Sequence, residues 1–277
     1  MDMTEQWTPS GVRLRKRHER PGDLDWLLLP GGPGLGSESL HGFADAIEVP
    51  GRIWMVDLPG DGSNVDAPGA PADTFEAWPS VLREAAAAVE RPVFVGHSTG
   101  GEYLLSVPVL ERMLAGLVLM STAPNASWMP TFERMTRENP LPAVDAATQV
   151  YERTPTNAHL AEIAVASAPW NFRPDTVVRG SELLAAMPYN REAVDWSARN
   201  FDETYTATWW PASLPTLIIS GSEDRIVDQS LWNGPRFEGA QVTRAVIAGG
   251  AHFPWMEEPV QVRDAMADFA RRVASVS

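Results

Sequence analysis

Apolar residues in the first part of the chain fall in short continuous runs, each ending in a glycine-rich turn. Residues 27–29 (Leu-Leu-Leu) lead into Pro30-Gly31-Gly32-Pro33-Gly34. Residues 52–57 lead into Leu58-Pro59-Gly60-Asp61-Gly62, residues 93–95 into Gly96, and 117–120 form a fourth run. Unbroken apolar runs of this length suit strands buried on both faces. Between them lie helical stretches. Residues 75–89 have an alanine-rich body with Thr74 positioned as N-cap, and 102–113 form another. Strand and helix in alternation predict a parallel sheet wound with helices.

That alternation stops near Thr122. Residues 123–211 hold helical stretches broken by prolines, without a buried strand run, and carry five of the eleven tryptophans and three of the four tyrosines. Strand signals return at 216–220 and 242–248, and a helix over 258–273 closes the chain. The expected organisation is one α/β core, residues 1–122 and 212–277, interrupted by a helical insert at 123–211. The basic cluster from Arg13 to Arg20 reads as the solvated face of an N-terminal hairpin.

Composition narrows the function. The chain has 277 residues, a net charge of −14 and no cysteine. The acidic balance argues against nucleic acid or an anionic membrane as partner. Without cysteine, disulfides, thiol catalysis and Cys-ligated metal are excluded. No apolar run is long enough to span a bilayer, and residues 1–6 are polar and acidic, unlike a secretory signal, so a cytoplasmic location is expected.

The most specific chemistry lies at Gly96-His97-Ser98-Thr99-Gly100, where a β-branched run meets a helical one. Strand, tight turn and helix with a serine at the apex form a nucleophile elbow. Serine needs a general base within reach, and the base needs an orienting acid. Both follow in the order acid then histidine, each after a late strand: Asp224 in Gly221-Ser222-Glu223-Asp224, and His252 in Gly249-Gly250-Ala251-His252. Glu223 stands as the alternative acid. For an oxyanion hole, two backbone N–H donors are expected, one from Thr99 and one from Gly32 in the loop after the first buried strand. His97 is expected to pack beneath the turn. His41 is a candidate for the pocket wall, whereas His18 and His159 have no supporting context. Neither a metal nor a cofactor is implied.

These blocks, with Asp57-Leu-Pro-Gly-Asp-Gly62 and Gly250-Ala-His-Phe-Pro-Trp-Met-Glu-Glu-Pro259, resemble the α/β-hydrolase superfamily, and within it the proline iminopeptidase-like branch. The resemblance spans nearly the whole chain. It implies a mainly parallel eight-stranded sheet with helices on both faces, and a helical cap inserted after the sixth strand. It also implies cap carboxylates that hold a substrate amino group, with Glu203 and Asp202 as candidates. Two positions depart from the branch: Pro30 replaces the His of its His-Gly-Gly-Pro-Gly, and Asp57-Leu58-Pro59-Gly60 replaces Asp-Gln-Arg-Gly. The aromatic insert, Trp209 included, points to an apolar or aromatic substrate portion. The expected activity is a cofactor-independent serine hydrolase cleaving a small-molecule ester or amide through an acyl-enzyme. The same triad also suits carbon–carbon hydrolysis, lyase or perhydrolase chemistry, and a ligand-binding protein with a vestigial site is a further alternative.

Overall fold

Eight strands form one sheet in the order β1-β2-β4-β3-β5-β6-β7-β8, within a computed structural model that describes residues 4–275. The strands are β1 Glu5–Trp7, β2 Arg13–Arg20, β3 Asp25–Leu29, β4 Gly51–Asp57, β5 Pro92–His97, β6 Gly116–Met120, β7 Thr216–Gly221 and β8 Val242–Ile247. β1 and β2 form an antiparallel hairpin and β2 runs antiparallel to β4, while the other pairings are parallel.

The apolar runs are continuous because both faces of the central strands are covered. On β3, Leu27 and Leu29 face one core while Trp26 and Leu28 face the other. On β6, Leu117 and Leu119 take the first side and Val118 and Met120 the second. The first side is covered by α2 (Trp78–Ala87) and α3 (Thr99–Leu104), through Val81, Leu82, Ala85 and Leu104. The second is covered by α1 (His41–Ala46) and α11 (Pro259–Ser275), through Phe43, Val262, Met266 and Phe269. Fully burying one such side chain contributes about 1.5–3 kcal/mol, so these strands anchor the fold.

Between β6 and β7 the chain makes six helices: α4 Trp128–Glu138, α5 Pro142–Arg153, α6 Asn157–Ala166, α7 Ala168–Asn171, α8 Val177–Ala185 and α9 Arg191–Asn200. None of the residues in α4, α5 or α6 is fully buried, so these three helices rest thinly on the core, whereas α7 to α9 add Ala168, Leu184 and Ala193 to it. A short α10 (Pro254–Glu257) precedes α11.

Two local expectations change. The helix expected over 75–89 begins at Trp78, and its N-cap position is Ala77. Thr74 does not cap it, because its Oγ1 donates to the Pro71 carbonyl at 2.8 Å. The helix expected over 102–113 splits into α3 and a 3-10 turn, Pro108–Arg112, because Pro108 lacks the N–H that would continue the ladder.

The basic cluster is a hairpin strand as expected, but its first arginines are not solvated. Asp57 ends β4 with its side chain fully buried, and Arg13 and Arg15 reach its Oδ2 at 3.0 and 2.9 Å. The Ser37 N–H donates to its Oδ1 at 2.9 Å. Beside the Asp57 carboxylate, and Glu38 at 2.8 Å, the Arg15 guanidinium is held above its usual range despite the opposing effect of burial. Removing one partner of a buried ion pair leaves the other uncompensated. Asp57→Ala is therefore expected to destabilise the fold by about 3 kcal/mol, read as a lower urea midpoint with unchanged m-value. A midpoint within error of wild type would show that the Arg–Asp cluster adds no stability.

Candidate active site

In the strand order the sequence of connections reverses between β3 and β5: β4 lies on one side of this pair, and β6 to β8 on the other. The loops after β3 and β5 therefore diverge and leave a crevice at the strands' C-terminal ends. Leu29 pairs with Gly96, which sets the two loops side by side. They carry the Gly31–Gly34 turn and Ser98.

Ser98 sits at φ 51°, ψ −129°, a region side-chain-bearing residues avoid, at a cost of roughly 1–3 kcal/mol. The surroundings enforce it. Its N–H donates to the Met120 carbonyl at 2.9 Å. A Cβ on Gly96 would lie 2.6 Å from the Gly101 Cα, and one on Gly100 would lie 2.4 Å from the Pro30 carbonyl oxygen. Glycine at both positions lets strand, helix and neighbouring loop approach to that distance.

The Gly31–Gly34 turn lies against this elbow. A Cβ on Gly31 would stand 2.6 Å from the Ser98 Cβ. Gly32 has φ +126°, which favours glycine, and its carbonyl accepts a hydrogen bond from Thr99 Oγ1 at 3.0 Å. Sequence reasoning singled out Gly32 and Thr99 but missed Gly31, whose requirement comes from contact across the sheet. The Thr99–Gly32 side-chain bond was likewise invisible in the sequence.

His252 and Asp224 meet across the ends of β8 and β7. His252 Nδ1 lies 3.2 Å from both carboxylate oxygens of Asp224, whose side chain is fully buried. The carboxylate accepts, so Nδ1 carries the hydrogen and Nε2 of the neutral ring presents a lone pair. Asp224 is itself held: Oδ1 accepts from the N–H groups of Ile226 at 2.9 Å and Val227 at 3.1 Å, and Oδ2 accepts from Gln229 Nε2 at 3.2 Å. Glu223 is exposed, with its backbone N–H on the Gly250 carbonyl, so Asp224 rather than Glu223 meets the imidazole.

His97 packs under the His252 ring, with centroids 4.9 Å apart. Its Nε2 donates to the His252 carbonyl at 2.9 Å. Burial, with the nearby His252 adding to it, brings its pKa down to about 3, so the ring is neutral and acts as a brace.

Ser98, Thr99, Gly31, Gly32, His97 and His252 line one cavity of about 300 Å³. Leu35 and Phe253 join them from the core, and Trp128, Leu160, Leu184 and Val194 come from the helical layer. Three further candidates are not among its lining residues. His41 stands at the start of α1, where burial, then Arg17 and Arg15, lower its pKa. Glu203 is exposed. Trp209 is buried elsewhere, with its indole N–H on the Leu104 carbonyl at 2.9 Å. The carboxyl that does reach the cavity is Asp202, whose Oδ1 accepts from Ser197 Oγ at 2.5 Å. Among the described residues, no group of three or more His, Asp or Glu side chains is set to hold a metal ion, and no helix is long and apolar enough to cross a membrane.

Glu102, one turn into α3, was not anticipated. It is buried, and desolvation, followed by the charge of Asp202, pushes its carboxyl from 4.5 up to about 8. Burial also raises Asp202. A carboxyl raised in the folded state favours folding below its unfolded pKa, and that contribution disappears as pH rises through the folded value. The window is pH 4.5 to about 8. Wild-type stability minus that of Glu102→Gln should therefore fall between pH 5 and 8, by at most about 1.4 kcal/mol per pH unit. A flat difference in parallel urea titrations would refute this assignment.

A sequence profile of the alpha/beta hydrolase family matches residues 26–265. The chain is 26% identical over 262 residues to a pimeloyl-[acyl-carrier protein] methyl ester esterase of Xanthomonas oryzae pv. oryzae, covering 86% of this chain and 92% of that protein. Its fold matches a proline iminopeptidase-related protein from Thermus thermophilus, with TM-score 0.72 and 19% identity over the full length of both chains. It also matches a thermophilic esterase from Thermogutta terrifontis, with TM-score 0.69, 22% identity and 99% of each chain covered. With that profile running from β3 into the last helix and covering both loops of the crevice, the chain belongs to the α/β-hydrolase family.

Proposed function

We propose that the protein is a serine hydrolase acting on small esters through an acyl-enzyme. The observation that carries this reading is the buried Asp224–His252 pair opening, with Ser98 in its strained turn, onto one cavity. Ser98 Oγ attacks the ester carbonyl, and His252 Nε2 takes its proton. Asp224 holds the ring in the required tautomer and stabilises the imidazolium. The N–H groups of Thr99 and Gly32 receive the charge that develops on the carbonyl oxygen. The tetrahedral adduct collapses by breaking its bond to the leaving alcohol, whose oxygen takes the proton from His252, and leaves Ser98 acylated; a water activated by the same imidazole then attacks the acyl group, releasing the acid and restoring Ser98.

The cavity's lining favours a modest, neutral substrate. Its volume, about 300 Å³, lies at the low end for ligand sites. Its walls are largely apolar, and among the described residues no Lys or Arg lines it to compensate an anion. The division into a core, 1–122 and 212–277, and a cap, 123–211, fits this reading, because the cap roofs the cavity. The methyl ester esterase relative and the esterase neighbour favour ester over amide. Aminopeptidase-like action is a second reading, favoured by the half-buried carboxyl of Asp202 in the cavity wall.

A panel of p-nitrophenyl esters against prolyl and alanyl naphthylamides separates the two readings: turnover of the esters alone is expected. Ser98→Ala should lower kcat by at least about a thousandfold with its thermal melt unchanged. A variant that keeps a tenth of wild-type turnover would remove Ser98 as nucleophile. Asp224→Asn should be severely impaired and Glu223→Gln nearly normal, because the first presents the imidazole with an amide that cannot stabilise its charge. The reverse ranking would transfer the acid's role to Glu223.

A further inference from the structure

Between α8 and α9 the chain leaves the helical layer and runs against the loop after β3. Leu35 and Tyr189 form an antiparallel bridge. The Asn190 N–H donates to the Gly34 carbonyl at 2.9 Å, and the Gly36 N–H to the Pro188 carbonyl at 3.4 Å. The Asn190 side chain reaches in two further directions. Its Oδ1 accepts from the Glu192 N–H at 3.1 Å and caps α9. Its Nδ2 donates to the Gly60 carbonyl at 2.6 Å, in the loop after β4. Asn190 is only 7% exposed, so these bonds form away from water, where they are strongest.

The approach is close enough to exclude side chains. A Cβ on Gly34 would lie 2.4 Å from the Asn190 carbonyl oxygen, and one on Gly62 would lie 2.2 Å from the Gly36 Cα. At its other end the same loop meets the elbow, where Gly31 abuts Ser98 and the Gly32 carbonyl accepts from Thr99. The segment from Gly31 to Gly36 is thus held at one end by the nucleophile turn and at the other by Asn190. Gly32 and Gly34 both have positive φ, at +126° and +81°, and glycine gives a loop little stiffness of its own. An oxyanion donor works only when it is fixed within a few tenths of an ångström of the charge it meets.

We propose that Asn190 is a positioning residue for the oxyanion loop, its amide bond to Gly60 and its backbone bond to Gly34 fixing the height of Gly32 over Ser98. The inference rests on the serine-hydrolase reading above. It also gives α9 a role in rate. Leu35, Tyr189 and Val194 flank Asn190 and Gly34 and line the cavity, so an acyl group that fills it presses on the segment that holds the loop. Acyl binding energy is then expressed in the transition state and appears in kcat.

The test uses Asn190→Ser and Asn190→Asp. Both keep an oxygen able to cap α9; the serine hydroxyl is one bond too short to replace the Nδ2 contact with the Gly60 carbonyl, and the aspartate carboxylate has no hydrogen to donate. Competent sites are counted with a fluorophosphonate label, and kcat and KM are measured for p-nitrophenyl acetate and butyrate. Affinity for a butylboronic acid, whose tetrahedral adduct mimics the charged intermediate, is measured alongside. Per labelled site, kcat should fall about tenfold with KM within about twofold, boronate binding should weaken by a similar factor, and the gain in kcat from acetate to butyrate should shrink. Should the serine variant melt below the assay temperature, the aspartate variant supplies the same comparison. Wild-type kcat per labelled site in a folded variant, with unchanged boronate affinity, overturns the role of Asn190 and leaves the hydrolase reading intact. A wild-type protein that takes no label and turns over no ester overturns both.

Discussion

Everything in the site depends on how closely two loops approach at the reversal between β3 and β5. The parallel register that pairs Leu29 with Gly96 brings the ends of both strands to one level. From there the separation is set by what is missing: no Cβ at Gly31 to strike Ser98, none at Gly96 to strike the following helix, and none at Gly100 to strike the Pro30 carbonyl. A strained serine can be held there because the surrounding backbone has nowhere else to go. The stability for this strain comes from the strands beneath, whose side chains alternate between two apolar cores.

Around that junction, four carboxyls, three buried and Asp202 half-buried, have been given different surroundings. Asp57 is matched by two guanidinium groups and fastens β2 and Ser37 to the end of β4. Asp224 is matched by backbone donors, an amide and an imidazole, so it can fix the orientation of the His252 ring. Among the described residues neither Glu102 nor Asp202 has a cationic partner: burial and then the charge of Asp202 raise Glu102, and burial, with Glu203 adding to it, raises Asp202.

Much of this was readable in the chain. The sheet, the helical interruption and the positions of Ser98, Asp224 and His252 follow from apolar runs and from turn residues at their ends, which are local properties. What escaped detection was non-local. Gly31 is required by a contact across two strands, and Asn190 looks like an ordinary helix cap until its side-chain amide is seen on Gly60. Glu203 and Asp202 are adjacent in sequence, yet one faces solvent and the other the cavity, a difference fixed by how the chain leaves α9. Trp209 and His41 failed as cavity residues because residue type carries no direction. The Arg13–Arg20 strand read as solvated because a partner such as Asp57, 44 residues from Arg13, cannot be seen in composition.

The helices α4 to α6 contribute no fully buried side chain, although α4 and α6 supply Trp128, Leu160 and Ala164 to the cavity roof. In the sheet a large-to-small replacement costs about 2–5 kcal/mol, a large share of a domain's margin, whereas partly exposed positions cost far less. Heritable change is therefore filtered unequally across the molecule. Ser98 and the glycines packed around it sit where nearly every substitution is costly, and the part of the cavity wall drawn from α4 and α6 sits where substitutions persist. Such a chain can drift from one substrate to another through its roof while its chemistry stays fixed.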